Sequence, residues 1–186
     1  ATDAENWLPP RSPRPLAEVA HRITMYRFDL VAQAWYEFTW NEFCDWFLEL
    51  TKPALSGDDK AAADSTRHTL LFVLEALLRA LHPLIPFITE EIWHEIAPKL
   101  GLSADSVSTR VYPRAGDFLI DAAAEGEIEW LKSVLSQLRR IRSEMNISPG
   151  RTIPLLFANG NANERARTAT FAAQTGFLPP PKPHPW

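Results

Sequence analysis

The stretch "WYEFTWNEFCDWFLELTK", residues 35–52, places seven aromatic residues among the thirteen positions from Trp35 to Phe47. At about 100° per residue, most of these rings gather on one side of an α-helix. The predicted core sector consists of Tyr36, Trp40, Phe43, Phe47 and Leu50, with Trp35, Phe38 and Trp46 at its flanks. Aromatic residues arranged in this way are typical of packing between helices. The stretch therefore predicts a long helix inside a helical bundle.

A polar stripe occupies the opposite side of this helix. It consists of Glu37, Asn41, Asp45 and Glu49, which are spaced four apart, and of Lys52. The acidic residues between the rings repel phosphate, which argues against a stacking platform that follows an RNA backbone. Asparagine and aspartate can instead bind the edges of unstacked bases through hydrogen bonds. A solvated helix face explains the same pattern, so both interpretations stay open.

Helical periodicity extends along most of the chain between two proline-rich ends. It predicts helices over residues 16–26, 29–51, 66–81, 85–96, 127–146 and 163–174, and a strand over residues 151–159. Asp64 or Ser65 is the expected N-cap of the third helix. The predicted fold is mainly α: an antiparallel helical bundle over residues 16–115 and a helix–strand–helix appendage over residues 116–178. Residues 1–15 and 179–186 are expected to be irregular because of their prolines.

Composition limits the classes of protein to be considered. The net charge of −4 is not typical of a free-standing nucleic-acid binder. Cys44 is the sole cysteine, which excludes an internal disulfide and favours a reducing, cytoplasmic setting. No apolar run approaches the roughly 20 residues of a membrane span, so no membrane partner is expected.

The charge is unevenly distributed, and one segment is basic. From Trp130 to Arg151 there are five basic residues and one acidic residue. The candidate phosphate contacts in this segment are Lys132, Arg139, Arg142 and Arg151. Arg139 and Arg142, at positions i and i+3, lie on the same surface of the helix and could contact consecutive phosphates. A solvated face is equally compatible with these charges.

No catalytic or metal site is predicted. Glu18–His21 and Glu91–His94 have the Glu-x-x-His spacing of di-iron bundles, whose ligands project into the core. Helical angles place Glu91 and His94 on the outer face, which argues against a metal site there. The chain has no glycine-rich phosphate loop, and no histidine shows metal-ligand spacing with Cys44. No cofactor is therefore expected within these residues.

Three blocks of the sequence resemble one known family. They are "YRFDLVAQAWYEFTWNEFCDWFLELTKP" (residues 26–53), "TRHTLLFVLEALLRALHPLIPFITEEIW" (residues 66–93) and "EIEWLKSVLSQLRRIRSEMNISPGRTIPLLF" (residues 127–157). The first two resemble the class I aminoacyl-tRNA synthetases for Val, Ile, Leu and Met in general. The third, especially "IRSEMNISPG", is similar to the anticodon-binding domain of bacterial valyl-tRNA synthetases. The resemblance covers about residues 16–178.

The resemblance implies a domain that docks on the anticodon stem-loop of tRNA(Val), inside an enzyme that joins valine to tRNA with ATP. Its partners would be that tRNA and the remainder of the synthetase. The "HIGH" and "KMSKS" signatures are absent, so the chain is expected to be a non-catalytic fragment, with ATP and Mg²⁺ used by a catalytic core elsewhere. Valine anticodons share a middle A and a final C, and Asn41, Asp45, Glu49 and Lys52 become the candidate contacts to the anticodon. The alternative is a helical protein-interaction scaffold that binds no nucleic acid.

Overall fold

The computed structural model describes residues 13–103, 105–118, 121–148, 151 and 156–176. Its α-helices are α1 (Pro13–Thr24), α2 (Phe28–Glu37), α3 (Leu48–Ser56), α4 (Lys60–Leu81), α5 (Pro86–Ile96), α6 (Ala122–Glu144), α7 (Ala162–Thr170) and α8 (Ala172–Gly176). A π-helix, Phe38–Phe47, joins α2 to α3, and short 3₁₀ turns lie at Ala97–Leu100, Val107–Thr109 and Ala115–Asp117. The prediction of a mainly α bundle is confirmed.

The predicted strand over residues 151–159 lies mostly outside the described residues. Those that are described there, 151 and 156–159, form no strand. The chain divides into two compact units, residues 1–125 and residues 126–186. The predicted functional division near residue 115 stays a prediction.

The first unit is built from helices that fold back on their neighbours. α1 packs on α2, and a three-residue connection over residues 57–59 lets α4 pack on both α3 and α5. One core cluster consists of Leu78, Trp93, Ile96, Ala97 and Val107. Trp93 is fully buried and satisfies its indole N–H by donating to the carbonyl of Asp105 at 2.6 Å.

The start of α4 differs from the sequence prediction. The helix begins at Lys60, because the side chain of Asp59 accepts a hydrogen bond from the backbone N–H of Ala62 at 3.1 Å. The predicted caps Asp64 and Ser65 therefore lie inside the helix, and that prediction was wrong. Asp59, Asp64 and Ser65 are all good N-cap residues, but the three alanines at 61–63 favour the earlier start of the helix.

The end of the long helix was also predicted too early. The helical path continues from Phe28 through Pro53 to Ser56. Proline lacks an N–H group, so one hydrogen bond to the preceding turn is lost. Leu50 and Thr51 are buried where α3 packs on α4, and this packing offsets the loss.

The second unit contains most of α6 together with α7 and α8. At the end of α6, Asn146 has a φ of 50°, and the N–H of Ile147 donates to the carbonyl of Arg142 at 2.9 Å. This is a Schellman motif, which satisfies the last carbonyls of the helix. α7 lies near α6 through Arg167, which pairs with Glu127 at 2.9 Å and covers the ring of Trp130.

Candidate nucleic-acid interface

The π-helix, Phe38–Phe47, determines which side chains of the long helix face the core. The buried residues along this helix are Val31, Ala34, Trp35, Phe38, Phe43, Phe47, Leu50 and Thr51. Apart from the adjacent pairs Ala34–Trp35 and Leu50–Thr51, their spacing is three or four except between Phe38 and Phe43, where it is five. An α-helix would turn position 41 or 42 inward after Phe38. The wider π turn inserts one residue into this period, and Asn41 therefore stays exposed.

Tyr36 and Trp40 lie on the surface, and their prediction as core residues was wrong. Tyr36 is 57% exposed and Trp40 is 36% exposed. Their rings are parallel within 2°, with centroids 6.4 Å apart. The flank residues Trp35 and Phe38 are buried instead, with an edge-to-face contact at 6.0 Å. A fixed 100° rotation per residue, begun at Trp35, does not hold across the π-helix.

The four predicted anticodon contacts lie along one continuous helix and differ in accessibility. Asn41 is exposed, so its amide offers both a donor and an acceptor to a ligand. Asp45 is half-buried. Glu49 accepts a hydrogen bond from Lys52 at 2.6 Å, and the Glu49 side chain is only 9% exposed. Asn41 and Lys52 are separated by roughly 15 Å of helix rise. Their role in reading an anticodon stays a prediction.

Tyr36 and Trp40 form an aromatic ledge beside Asn41 that the sequence interpretation missed. The acidic residues Glu37 and Glu42 flank this ledge, and Glu37 accepts a hydrogen bond from Gln33 at 2.8 Å. Carboxylates repel phosphate, whereas an exposed ring can still stack on a base. The ledge therefore suits contact with bases better than contact with the RNA backbone. The five-residue interval between Phe38 and Phe43 is recognised only from their burial, because Tyr36, Trp40, Phe43 and Phe47 follow a regular helical period in the sequence.

The predicted phosphate contacts lie in the second unit, and several of them have partners within the protein. Arg142 donates to the carbonyls of Ser148 and Arg151 at 2.8 and 2.9 Å, so its guanidinium holds the turn after α6. Lys132 pairs with Glu129 at 3.3 Å, and its side chain is 13% exposed. Arg139 is half-buried, whereas Arg151 is exposed. Arg151 is thus the most accessible of the four to an RNA phosphate.

The residues weighed as metal ligands lie on the surface. Glu18, His21, Glu91 and His94 are all exposed, and His94 pairs with Glu90 at 3.4 Å. The described part of the chain holds no group of three or more acidic, histidine or cysteine side chains placed to bind a metal ion. A cavity of about 10 Å³ lies among Leu16, Trp35 and Phe118, which is too small for a nucleoside. Within the described residues, every helix is too short or too polar to span a bilayer.

Comparison with known proteins gives consistent matches. Residues 11–156 match the family described as the anticodon-binding domain of tRNA ligase. Two similar proteins, from Stenotrophomonas maltophilia strain K279a and Xanthomonas campestris pv. campestris strain B100, are each named valine–tRNA ligase. The first is 54% identical over 178 residues and the second 52% identical over 179 residues. Each alignment covers 95% of this chain and 19% of the relative, so the chain spans about a fifth of the length of these relatives.

Proposed function

The chain belongs to the family of anticodon-binding domains of tRNA ligases, and on that premise we propose that it recognises the anticodon loop of tRNA(Val) within a valine–tRNA ligase. The observation that carries the proposal is the identity of 51–54% with proteins named valine–tRNA ligase, over 95% of the chain. A similarity of this size over nearly the whole chain favours the valine branch over the other members of the family.

The exposed side of the long helix supports base recognition. Asn41 offers an amide that can form paired hydrogen bonds with a base edge, and the aromatic ledge offers ring faces beside it. The neighbouring carboxylates of Glu37 and Glu42 disfavour binding that depends only on electrostatic attraction to phosphate. The first unit would accordingly discriminate between bases, and Arg151 in the second unit would add a contact that does not depend on sequence.

In this proposal the domain positions the tRNA, and the chemistry takes place elsewhere in the ligase polypeptide. There ATP and Mg²⁺ would activate valine in the cytoplasm before its transfer to the tRNA. The residues described here would bind and orient the RNA without taking part in that reaction.

A binding titration tests the proposal directly. The protein is titrated against the valine anticodon stem-loop and against a matched stem-loop whose middle A is replaced. Loss of one base contact costs about 1–3 kcal/mol, so we expect a roughly 5- to 150-fold preference for the valine loop. Equal affinity for the two loops would contradict anticodon recognition. Failure to bind either loop would favour the alternative, a protein-interaction scaffold.

A further inference from the structure

The turn between α1 and α2 holds a tyrosine in a backbone conformation that suits glycine. Tyr26 has a φ of 54°. Its N–H donates to the carbonyl of Ile23 at 3.0 Å, and the N–H of Arg27 donates to the carbonyl of Arg22 at 2.9 Å. These two bonds make a Schellman motif whose left-handed position is filled by Tyr26.

The other left-handed positions in the described residues carry the expected residue types. They are Asn146, Asn159 and Gly101, which have φ values of 50°, 62° and 69°. Asparagine and glycine adopt this conformation readily, whereas a bulky side chain is strained in it. Tyr26 is therefore the exception among the four left-handed positions of the described residues.

Packing does not compensate for this strain. The side chain of Tyr26 is 82% exposed, and its ring contacts that of Phe28 edge to face, with centroids 6.4 Å apart and planes at 79°. Phe28 is itself 53% exposed. Residues held in strained backbone conformations cluster at functional sites, where the strain is part of the mechanism.

Arg27 lies between Tyr26 and Phe28 in the sequence and adds a planar guanidinium group to the same turn. Arg27 donates to both carboxylate oxygens of Asp29, at 2.9 and 2.7 Å, so the orientation of the guanidinium is fixed. The hydrogen bond from Arg27 lowers the pKa of Asp29 to about 2, and both groups are therefore ionised at neutral pH. This internal pairing neutralises Arg27 and makes it a poor ligand for phosphate, but the Arg27 side chain is still 56% exposed.

We propose that Tyr26, Arg27 and Phe28, here called the aromatic knuckle, bind an unpaired nucleobase of RNA by stacking. The inference rests on the proposed function as an RNA-binding domain and adds a second contact site to it. Exposed aromatic rings and guanidinium planes are the surfaces on which proteins stack single-stranded bases. A base is favoured over a phosphate because the positive charge of Arg27 is already paired.

The knuckle is separate from the predicted anticodon contacts. Tyr26 and Asn41 are fifteen positions apart, which corresponds to roughly 20 Å of helix rise. Substitutions separated by more than about 10 Å usually have independent effects, so the two sites can be tested separately.

Tyr26→Asn is the decisive variant, because asparagine relieves the strain and removes the ring. Binding is measured with a fluorescent RNA hairpin that carries the valine anticodon loop, and with a fully paired duplex of equal length. We expect the variant to bind the hairpin roughly 5- to 150-fold more weakly, as for the loss of one base–aromatic stack. Its midpoint of thermal unfolding should rise, so weaker binding cannot be attributed to a damaged fold. Tyr26→Phe should keep the wild-type affinity.

Phe87→Ala provides the matched control, since Phe87 is 90% exposed but lies outside the knuckle. It should leave hairpin binding unchanged. The proposed stacking would be contradicted if Tyr26→Asn bound the hairpin as tightly as the wild type, or if the wild type bound hairpin and duplex with equal affinity. If the wild type prefers the hairpin to the duplex but ignores the middle base of the loop, anticodon recognition fails and a loss on Tyr26→Asn still supports the knuckle.

Discussion

The hydroxyl of Thr39, a residue of the π-helix, is buried, and no described residue forms a hydrogen bond with it. A buried hydroxyl that has lost its contacts with water destabilises the folded state by about 1–3 kcal/mol. Valine has nearly the same shape and no polar group to leave unsatisfied. We therefore expect Thr39→Val to raise the free energy of unfolding by about 1 kcal/mol, measured by urea denaturation.

Thr89→Val is the matched control for this prediction. Thr89 is also buried, but its hydroxyl donates to the carbonyl of Ile85 at 2.9 Å and lies 2.8 Å from Nδ1 of His82. Removing this hydroxyl breaks existing hydrogen bonds, so the same substitution should lower stability here. If both variants are destabilised alike, the hydroxyl of Thr39 has a partner and the interpretation of the π-helix interior is wrong.

The arrangement of helices could be predicted from sequence wherever the hydrophobic period stays regular. Phe43, Phe47 and Leu50 were predicted to be core residues and are buried. The inference failed at Tyr36 and Trp40, because rotation along the helix is not constant once a residue is inserted. At the candidate site, the exposure of Asn41 depends on the same local winding, and regular periodicity alone could not predict it. The ion pair between Glu49 and Lys52 lies beyond the π-helix, in α3, at the i, i+3 spacing of neighbours on a regular α-helix.

A single deletion tests whether the π-helix amounts to one residue inserted into an α-helix. Removing Asn41 shortens the interval from Phe38 to Phe43 from five to four, which is the α-helical spacing. The buried residues beyond it keep their mutual spacing and can still face the core. We therefore expect the deletion to shift the midpoint of thermal unfolding, followed by circular dichroism, by only a few degrees.

Deletion of His68 is the corresponding control in α4. His68 is exposed like Asn41, but it lies in a regular α-helix between the buried residues Thr66 and Val73. Its loss rotates the two halves of the helix by about 100° and turns Leu77 away from the core. Each large apolar side chain exposed in this way costs about 1.5–3 kcal/mol, so the protein should unfold at a much lower temperature. Equal damage from the two deletions would show that the π-helix is required for the fold.

The molecule distributes its charge between two compact units. From Asp29 to Lys60 in the first unit there are seven acidic and two basic residues, whereas from Trp130 to Arg151 in the second there are five basic and one acidic. Acidic surroundings favour discrimination by hydrogen bonds, and basic ones favour attraction to any phosphate. This difference predicts that specificity and salt-dependent affinity can be altered independently by substitutions in different units.

Arg151→Ala and Asp45→Ala should separate the two contributions when binding to the matched and altered anticodon loops is measured over a range of salt concentrations. Arg151→Ala should weaken binding to both loops by the same factor and reduce the slope of log K against log salt by about 0.7–0.9, the loss of one phosphate contact. Asp45→Ala should change the ratio of the two affinities and leave the slope unchanged. Arg140→Ala is the matched control, because it removes the same charge but Arg140 is already paired with Glu144 at 3.0 Å. It should change the affinity and the salt slope less than Arg151→Ala does. A change of ratio on Arg151→Ala, or none on Asp45→Ala, would contradict this division of roles.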